Sequence, residues 1–439
     1  MHRDPRSSGI VRELISFSLP LILSGVLQQL YLWADAFIVG NVEGEGALAA
    51  IGATTTLMNF FLLLVIGFTG GLSILFARSF GAGETEDIPR LLSTWLLVLG
   101  VASLVLAAAG FALTPWLLRL MHTTADTLSM AEDYLAIIFL GLPFLTVYNV
   151  CSAALRGIGD SQTPFRAICV SSGANVVLDL AFVWGLRWGV AGAAWATVLS
   201  QAAMAVFLVV YVGRKHPFLR PALRRPTLQR ELLRPGAVLG IPPMIQSGIN
   251  AFGGVLLQDF MNGFGTATVA AITTAYRVDC IALLPIINLG TAISTLTAQS
   301  HGAGDLPRTR KVLSAGSGLM TAVSLSLSML VVALGGFLVA MFGVGPEAAL
   351  IGRGFFRCIG PFYLLFGLST ALRGYTEGLG DMVFSSGAGI FSLGCRIVLS
   401  YRLAHLWGNM VIAYAEAIFW GVLLLLYLLR TLWLRRRTG

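Results

Sequence analysis

Twelve runs of about 20 or more apolar residues, separated by short polar breaks, fill most of this 439-residue chain. No other feature restricts the fold as much. About 20 residues at 1.5 Å each cross a hydrocarbon core about 30 Å thick, and only helices satisfy their own backbone there. The runs lie at roughly 14–39, 50–77, 91–114, 131–155, 165–185, 189–212, 236–262, 267–298, 312–342, 355–372, 383–405 and 409–430. Apolar residues make up 56% of the chain and charged residues 11%, where soluble domains carry about 25% charged residues. A soluble protein could not hide so much apolar surface behind so few charges. The predicted class is an all-α integral membrane protein with twelve transmembrane helices.

The net charge of +8 does not point to nucleic acid, because the basic residues follow the loops. With the N-terminus placed in the cytoplasm, 22 Lys and Arg fall in cytoplasmic segments and 5 on the opposite side, leaving Arg277 and Arg396 within spans. The positive-inside rule then puts both termini in the cytoplasm. The start, MHRDPRSSGIVREL, runs into a full-length span with no short apolar region and cleavage site, so a cleaved signal is not expected. Five cysteines in or near spans, odd in number and without metal-type spacing, read as small buried apolar residues.

The chain repeats itself. RSFGAGE at 78–84 returns as QSHGAGD at 299–305, an offset of 221. Pro20, Ser24 and Gly25 match Pro243, Ser247 and Gly248. Ala49–Ile51 match Ala270–Ile272, Pro143 and Phe144 match Pro361 and Phe362, ALRG at 154–157 matches 371–374, and Trp188 and Gly189 match Trp407 and Gly408. Ordered anchors at nearly one offset indicate duplication. Each half holds six spans, an even number, so both enter the membrane in the same direction. They are predicted to be two six-helix bundles related by a pseudo-twofold along the membrane normal, around which they rock. The expected organisation is a first bundle at 1–212, a basic cytoplasmic linker at 213–235 whose internal prolines resist helix formation, and a second bundle at 236–439. The Gly-rich phrases suit tight turns after the second span of each half.

No P-loop, HExxH or acidic prenyltransferase-like cluster occurs, which excludes an ATP-driven pump by itself and leaves no catalytic constellation. A duplicated bundle without such a motif is expected to be a secondary transporter and not an enzyme. Ionisable groups at membrane depth are then functional candidates. Six lie away from the cytoplasmic ends: Asp35, Asp179, Arg277, Asp279, Arg396 and Glu416. Asp35 falls ~8 Å below the outer end of span one and Asp179 ~9 Å below that of span five. Asn175 shares a helix face with Asp179 at i−4, and Thr197 lies ~12 Å down span six. These four oxygen-bearing side chains suit a hard cation such as Na⁺. Alternatively, two carboxylates in a dry pocket would hold a proton between them. The coupling ion is therefore H⁺ or Na⁺, and the four residues are its metal ligands in the second case.

The second half lacks this group, since Gln258 stands for Asp35 and Val398 for Asp179. It carries a charge network instead: Glu416 and Arg396 at similar depth are expected to pair, and Arg277 and Asp279 to find partners elsewhere. That network either holds the bundle together or handles protons or substrate. Proline kinks are expected at Pro20, Pro143, Pro243 and Pro361, with Pro20 a hinge candidate. Gln28, Tyr31, Asn59, Asn149, Gln246 and Asn250 are polar residues on apolar spans and candidate cavity linings.

The segments ADAFIVGNVEGEGALAAIG (34–52), the two Gly-rich phrases, ALRGIGDSQTP (154–164) and NVVLDLAFVWGLRWGVAGAAWATVLSQ (175–201) carry a resemblance over nearly the whole chain. It resembles the multidrug and toxic compound extrusion (MATE) family. That resemblance implies an antiporter in a bacterial plasma membrane, exporting amphipathic, often cationic organic compounds while Na⁺ or H⁺ enters, with no cofactor. The family's first-half ion site maps onto Asp35, Asn175, Asp179 and Thr197. One branch uses a span-seven glutamate that here is Asn250, so the chain looks closer to the DNA-damage-inducible branch. The nearest rival is a lipid-linked saccharide or peptidoglycan-precursor flippase of the same superfamily, which would line its cavity with several basic residues. Expected partners are drug-like small molecules and membrane lipids, with no nucleic acid, and a monomer suffices.

Overall fold

The computed structural model describes residues 7–120, 125–220, 222 and 227–437. Arg3, Arg6, Pro221, Arg224, Arg225 and Pro226 lie outside them. Among the described residues there is no strand. The helices are α1 (Ser7–Glu43), α2 (Glu45–Gly81), α3 (Asp87–Leu120), α4 (Ala125–Gly157), α5 (Gln162–Asp179) and α6 (Gly189–Lys215). They continue with α7 (Leu233–Asn262), α8 (Thr266–Ala282), α9 (Leu284–Gly302), α10 (Leu306–Ala340), α11 (Pro346–Ile359), α12 (Tyr363–Gly378), α13 (Met382–Trp407) and α14 (Val411–Arg437).

Among the described residues, these fourteen helices make twelve spans because two spans are broken. The eighth bends by 42° between α8 and α9. The tenth, Pro346–Gly378, is interrupted by a 3₁₀ turn at Gly360–Phe362. Among the described residues, nine helical stretches are long and apolar enough to cross a membrane, and ten with the bent pair. The last of these, Met382–Arg436, contains both α13 and α14. The remaining span, α7, is diluted by Pro242, Pro243, Gln246, Asn250 and Asp259. Large apolar side chains such as Leu104 and Val105 on α3, Met329 and Phe337 on α10 and Leu425 on α14 point outward. In water such a surface would aggregate; in a bilayer it meets lipid.

The chain divides into two compact units, Leu23–Ala237 and Met1–Ile22 with Val238–Gly439. In the first, α4 packs against α2, α3 and α6, and α5 against α6. In the second, the α11–α12 span packs against α9, α10 and α14, and α13 against α14. The duplication is thus visible as packing: the fourth span of each half is the hub. The repeated ALRG explains the close approach. A Cβ on Gly157 would lie 2.9 Å from the backbone nitrogen of Ala77, and one on Gly374 2.5 Å from the backbone oxygen of Gly290. The Gly-rich turns repeat as well. Gly83 and Gly304 have φ of 79° and 70°. In both turns the residue after glycine donates to a carbonyl five residues back, Glu84 to Ser79 and Asp305 to Ser300.

The start of α1 belongs to the second unit. Ile10, Leu14, Phe17 and Leu21, spaced three or four apart, bury against Ile286, Leu289 and Ile293 of α9 and Val312 of α10. Glu13 also pairs with Arg308 at 2.6 Å. The segment after α6 is tied to the first unit, where the backbone of Gln229 donates to the Thr94 hydroxyl at 3.2 Å. At the end of α4, Asp160 accepts from Lys215 Nζ at 2.9 Å, His216 Nε2 at 3.2 Å and the Thr163 hydroxyl at 2.6 Å. Burial pushes its carboxyl up, but the bonds from His216, Thr163 and Lys215 outweigh that and hold it well below the usual carboxylate range.

Candidate functional site

A stripe along α5 begins the site. Ser172, Asn175 and Asp179 recur at i, i+3 and i+7, so they share one face, and all three are buried. Asp179 is the last α-helical residue; Leu180–Gly185 continue as a π-helix. Such π segments inside spans are rare and accompany functional sites. Asp35 of α1 is 8% exposed and Asp179 is fully buried at 0%. The two carboxyl groups are near enough to act on each other. As carboxylates neither can donate, and the orphaned atoms mark the consequence. Among the described residues, Asp35 Oδ1, both Asp179 oxygens, and Asn175 Oδ1 and Nδ2 are buried without a hydrogen-bond partner. Buried polar atoms almost always have one, which sets this cluster apart. A proton or a monovalent hard cation fits this donor set. Among the described residues no group of three or more His, Cys, Asp and Glu gathers as a transition-metal site would.

Asp35 opens onto a cavity of about 340 Å³ within the first unit. Thr197, half-buried on α6, lines it, as do Gln28, Tyr31, Asn59 and Asn149. Asp179 and Asn175 are buried and are not among its lining residues, whereas Asp35 is. The walls are mixed, with Met58, Phe61, Phe139 and Met204 supplying apolar and aromatic surface. No Lys or Arg lines it. Tyr134 of α4, a residue the sequence reading missed, is 4% exposed, lines the cavity and feels the charge of both carboxyls. Its signal was available: it is a polar aromatic a few residues into span four, at the depth of Asp35. Ser172 extended the Asn175–Asp179 pattern and was passed over too.

The other residues foreseen as cavity linings, Gln246 and Asn250, are on α7 in the second unit. Asn250 is exposed, and Gln246 is buried against Gly389 of α13. Arg277 is exposed and, among the described residues, has no ion pair. Two residues apart on a helix face different ways, so turning Asp279 inward turns Arg277 out. Cys169 and Cys280 are exposed rather than buried.

In the second unit, Arg396 Nη2 donates to Glu416 Oε2 at 3.0 Å and to the Tyr276 hydroxyl at 2.9 Å. Tyr276 donates to the same Glu416 oxygen at 3.2 Å. Asp279 accepts from the Tyr363 hydroxyl. Three of the four charges foreseen in this half therefore sit among buried or part-buried partners.

A family model described as MatE matches residues 20–181 and 242–402. The probable multidrug resistance protein YpnP of Bacillus subtilis is 29% identical over 382 residues, 87% of this chain and 85% of that protein. The probable multidrug resistance protein NorM of Thermotoga maritima is 25% identical over 380 residues, 85% and 81% of the two chains. Among solved structures, the outward-facing conformation of a multidrug resistance MATE family transporter of the MOP superfamily aligns with a TM-score of 0.88 at 21% identity, over 99% of this chain and 98% of that one. A MATE structure in the bent conformation aligns with a TM-score of 0.89 at 21% identity, over 99% and 98%. At such identities the structural likeness speaks for the fold.

Proposed function

The chain belongs to the MatE family, whose members are transporters and not enzymes, and from that premise we propose that it is a secondary active multidrug antiporter. In this reading it exports amphipathic or cationic organic compounds across a bacterial plasma membrane in exchange for H⁺ or Na⁺. Both termini are cytoplasmic, and the protein works as a monomer without a cofactor. The relatives named as multidrug resistance proteins support the substrate class.

One observation carries the coupling: Asp35 and Asp179 are both buried, and Asp35 opens onto a cavity that, among the described residues, no Lys or Arg lines. A volume of about 340 Å³ suits one drug-sized molecule. A cationic compound in the cavity is attracted by ionised Asp35, with aromatic and methionine walls taking its apolar part. When H⁺ or Na⁺ enters from outside, it removes one of the pair's two negative charges, with Asn175 and Thr197 adding oxygens for Na⁺. The attraction for the compound is then weakened and it leaves outward. The ion need only change the relative affinity of the two states.

The sequence halves 1–212 and 236–439 are the moving bodies of this cycle, joined by 213–235. Pro20 is its hinge, two residues before α1 passes from one unit to the other at Ile22. The flippase reading gains nothing here. Its pyrophosphate needs free basic groups, whereas the cavity has none and Arg396 is engaged by Glu416.

The test is dye efflux from liposomes holding the purified chain, under an imposed pH or Na⁺ gradient. Gradient-driven efflux is expected, and the effective gradient names the ion. No efflux under either gradient, with scrambling of a lipid-linked saccharide instead, overturns the reading.

A further inference from the structure

A second buried carboxyl stands apart from the Asp35–Asp179 pair. Asp279 is 5% exposed and, among the described residues, its side chain accepts one hydrogen bond, from the hydroxyl of Tyr363, itself fully buried at 0%. Both residues sit where a span breaks. The α8 helix ends at Ala282, and the chain turns by 42° into α9. Tyr363 is the first residue of α12, directly after the 3₁₀ turn that interrupts the tenth span. The Asp279–Tyr363 contact therefore joins the breaks of two discontinuous spans. Coupling-ion sites in transporters form at such breaks, where the backbone has two arrangements available.

The charges around it do not balance. Glu416 of α14 is the other carboxyl of this region, reached from α8 by the Tyr276 hydroxyl at 3.2 Å. The cation of this region, Arg396 of α13, is bound to Glu416 and Tyr276. On α8 itself, Arg277 and Cys280 are exposed. The neighbouring α10 and α11 offer apolar Val331, Phe355 and Ile359. Among the described residues this region therefore holds two carboxyl groups and one guanidinium, which is paired with Glu416. One negative charge is left over, on the carboxyl that has only a tyrosine. An uncompensated charge in such a medium is expensive, and a proton removes it.

We propose that Asp279 is a second proton-binding site, independent of Asp35 and Asp179, where the carboxylic acid is held by Tyr363 between two broken spans. Sodium does not suit it, since one carboxyl and one hydroxyl fall short of an oxygen cage. The proton at this site biases the angle at the two breaks, because losing it leaves a bare charge in the apolar surroundings of this arrangement. Its place in transport rests on the antiporter reading; its existence does not.

Infrared difference spectroscopy of the purified full chain in detergent, acid minus alkaline, reads protonated carboxyls directly and needs no transport. The background is the double variant Asp35→Asn, Asp179→Asn. A titrating protonated-carboxyl band is expected to remain there and to vanish when Asp279→Asn is added. Tyr363→Phe is expected to keep the band and move it to higher frequency, since its carbonyl loses a hydrogen bond. An unchanged band in Asp279→Asn, or none in the double variant, overturns the proposal. If Asp279→Asn does not fold, Tyr363→Phe decides alone, and an unshifted band is then the contrary result. Failure of liposome efflux with these spectra as expected would count against the antiporter reading and leave the site standing.

Discussion

At Asp35 and Asp179 the difference between depth and direction is plain. Counting residues from a span end gives depth, and the i−4 relation gives a common face for Asn175 and Asp179. Both were legible, and the structure buries these residues together. For Arg277 depth was equally legible, but nothing in an apolar span says which way a single side chain turns, and it turned outward. Tyr134 shows the reverse failing, because tyrosine is at home in any apolar helix and draws no attention until its hydroxyl is seen near two carboxyls. Tyr134→Phe should leave the fold intact and weaken dye binding about fivefold, the worth of about 1 kcal/mol for one hydrogen-bonding group. Equilibrium binding by fluorescence polarisation measures it, and unchanged affinity would remove Tyr134 from the site.

Elements fail or hold at their ends. The apolar runs announced the helices because the bilayer sets their length. The breaks were less legible: Pro361 hinted at one, whereas the π segment after Asp179 has no marker in LAFVWG. The repeated ALRG had a visible cause only once Gly374 was seen against the carbonyl of Gly290. Gly374→Val should cost about 3 kcal/mol or prevent folding, read by thermal unfolding in detergent; a wild-type midpoint would contradict the packing. Asp160 ties the α4–α5 turn to the end of α6. Its carboxyl is depressed in the folded state, so its contribution is present above the unfolded value near 3.9 and lost as pH falls below about 4. Asp160→Asn should therefore destabilise by about 2 kcal/mol at neutral pH. The gap to wild type should close in acid, and a gap that widened instead would reverse the assignment.

Over the whole molecule, duplication explains the fold and its breaking explains the chemistry. Two halves with the same turns, the same hub span and the same close-packed glycine carry different ionisable groups. The first holds a carboxyl pair beside a cavity, and the second a compensated ion pair with one carboxyl left over. The duplicated frame was legible because six spans per half and ordered anchors leave little choice. The assignment of the start of α1, up to Ile22, to the second unit was not, since it depends on which helix the Ile10–Leu21 stripe finds.

The central claim is that ion and compound are linked through Asp35 and Asp179. Dye affinity of the purified protein, measured against pH and against Na⁺, tests it most directly, because linkage must appear in binding itself. In wild type, affinity should fall at least tenfold as the effective ion saturates, about 1.4 kcal/mol of coupling. In Asp35→Asn, Asp179→Asn it should be low and independent of both. An affinity that responds to the ion equally in wild type and in the double variant would contradict the account.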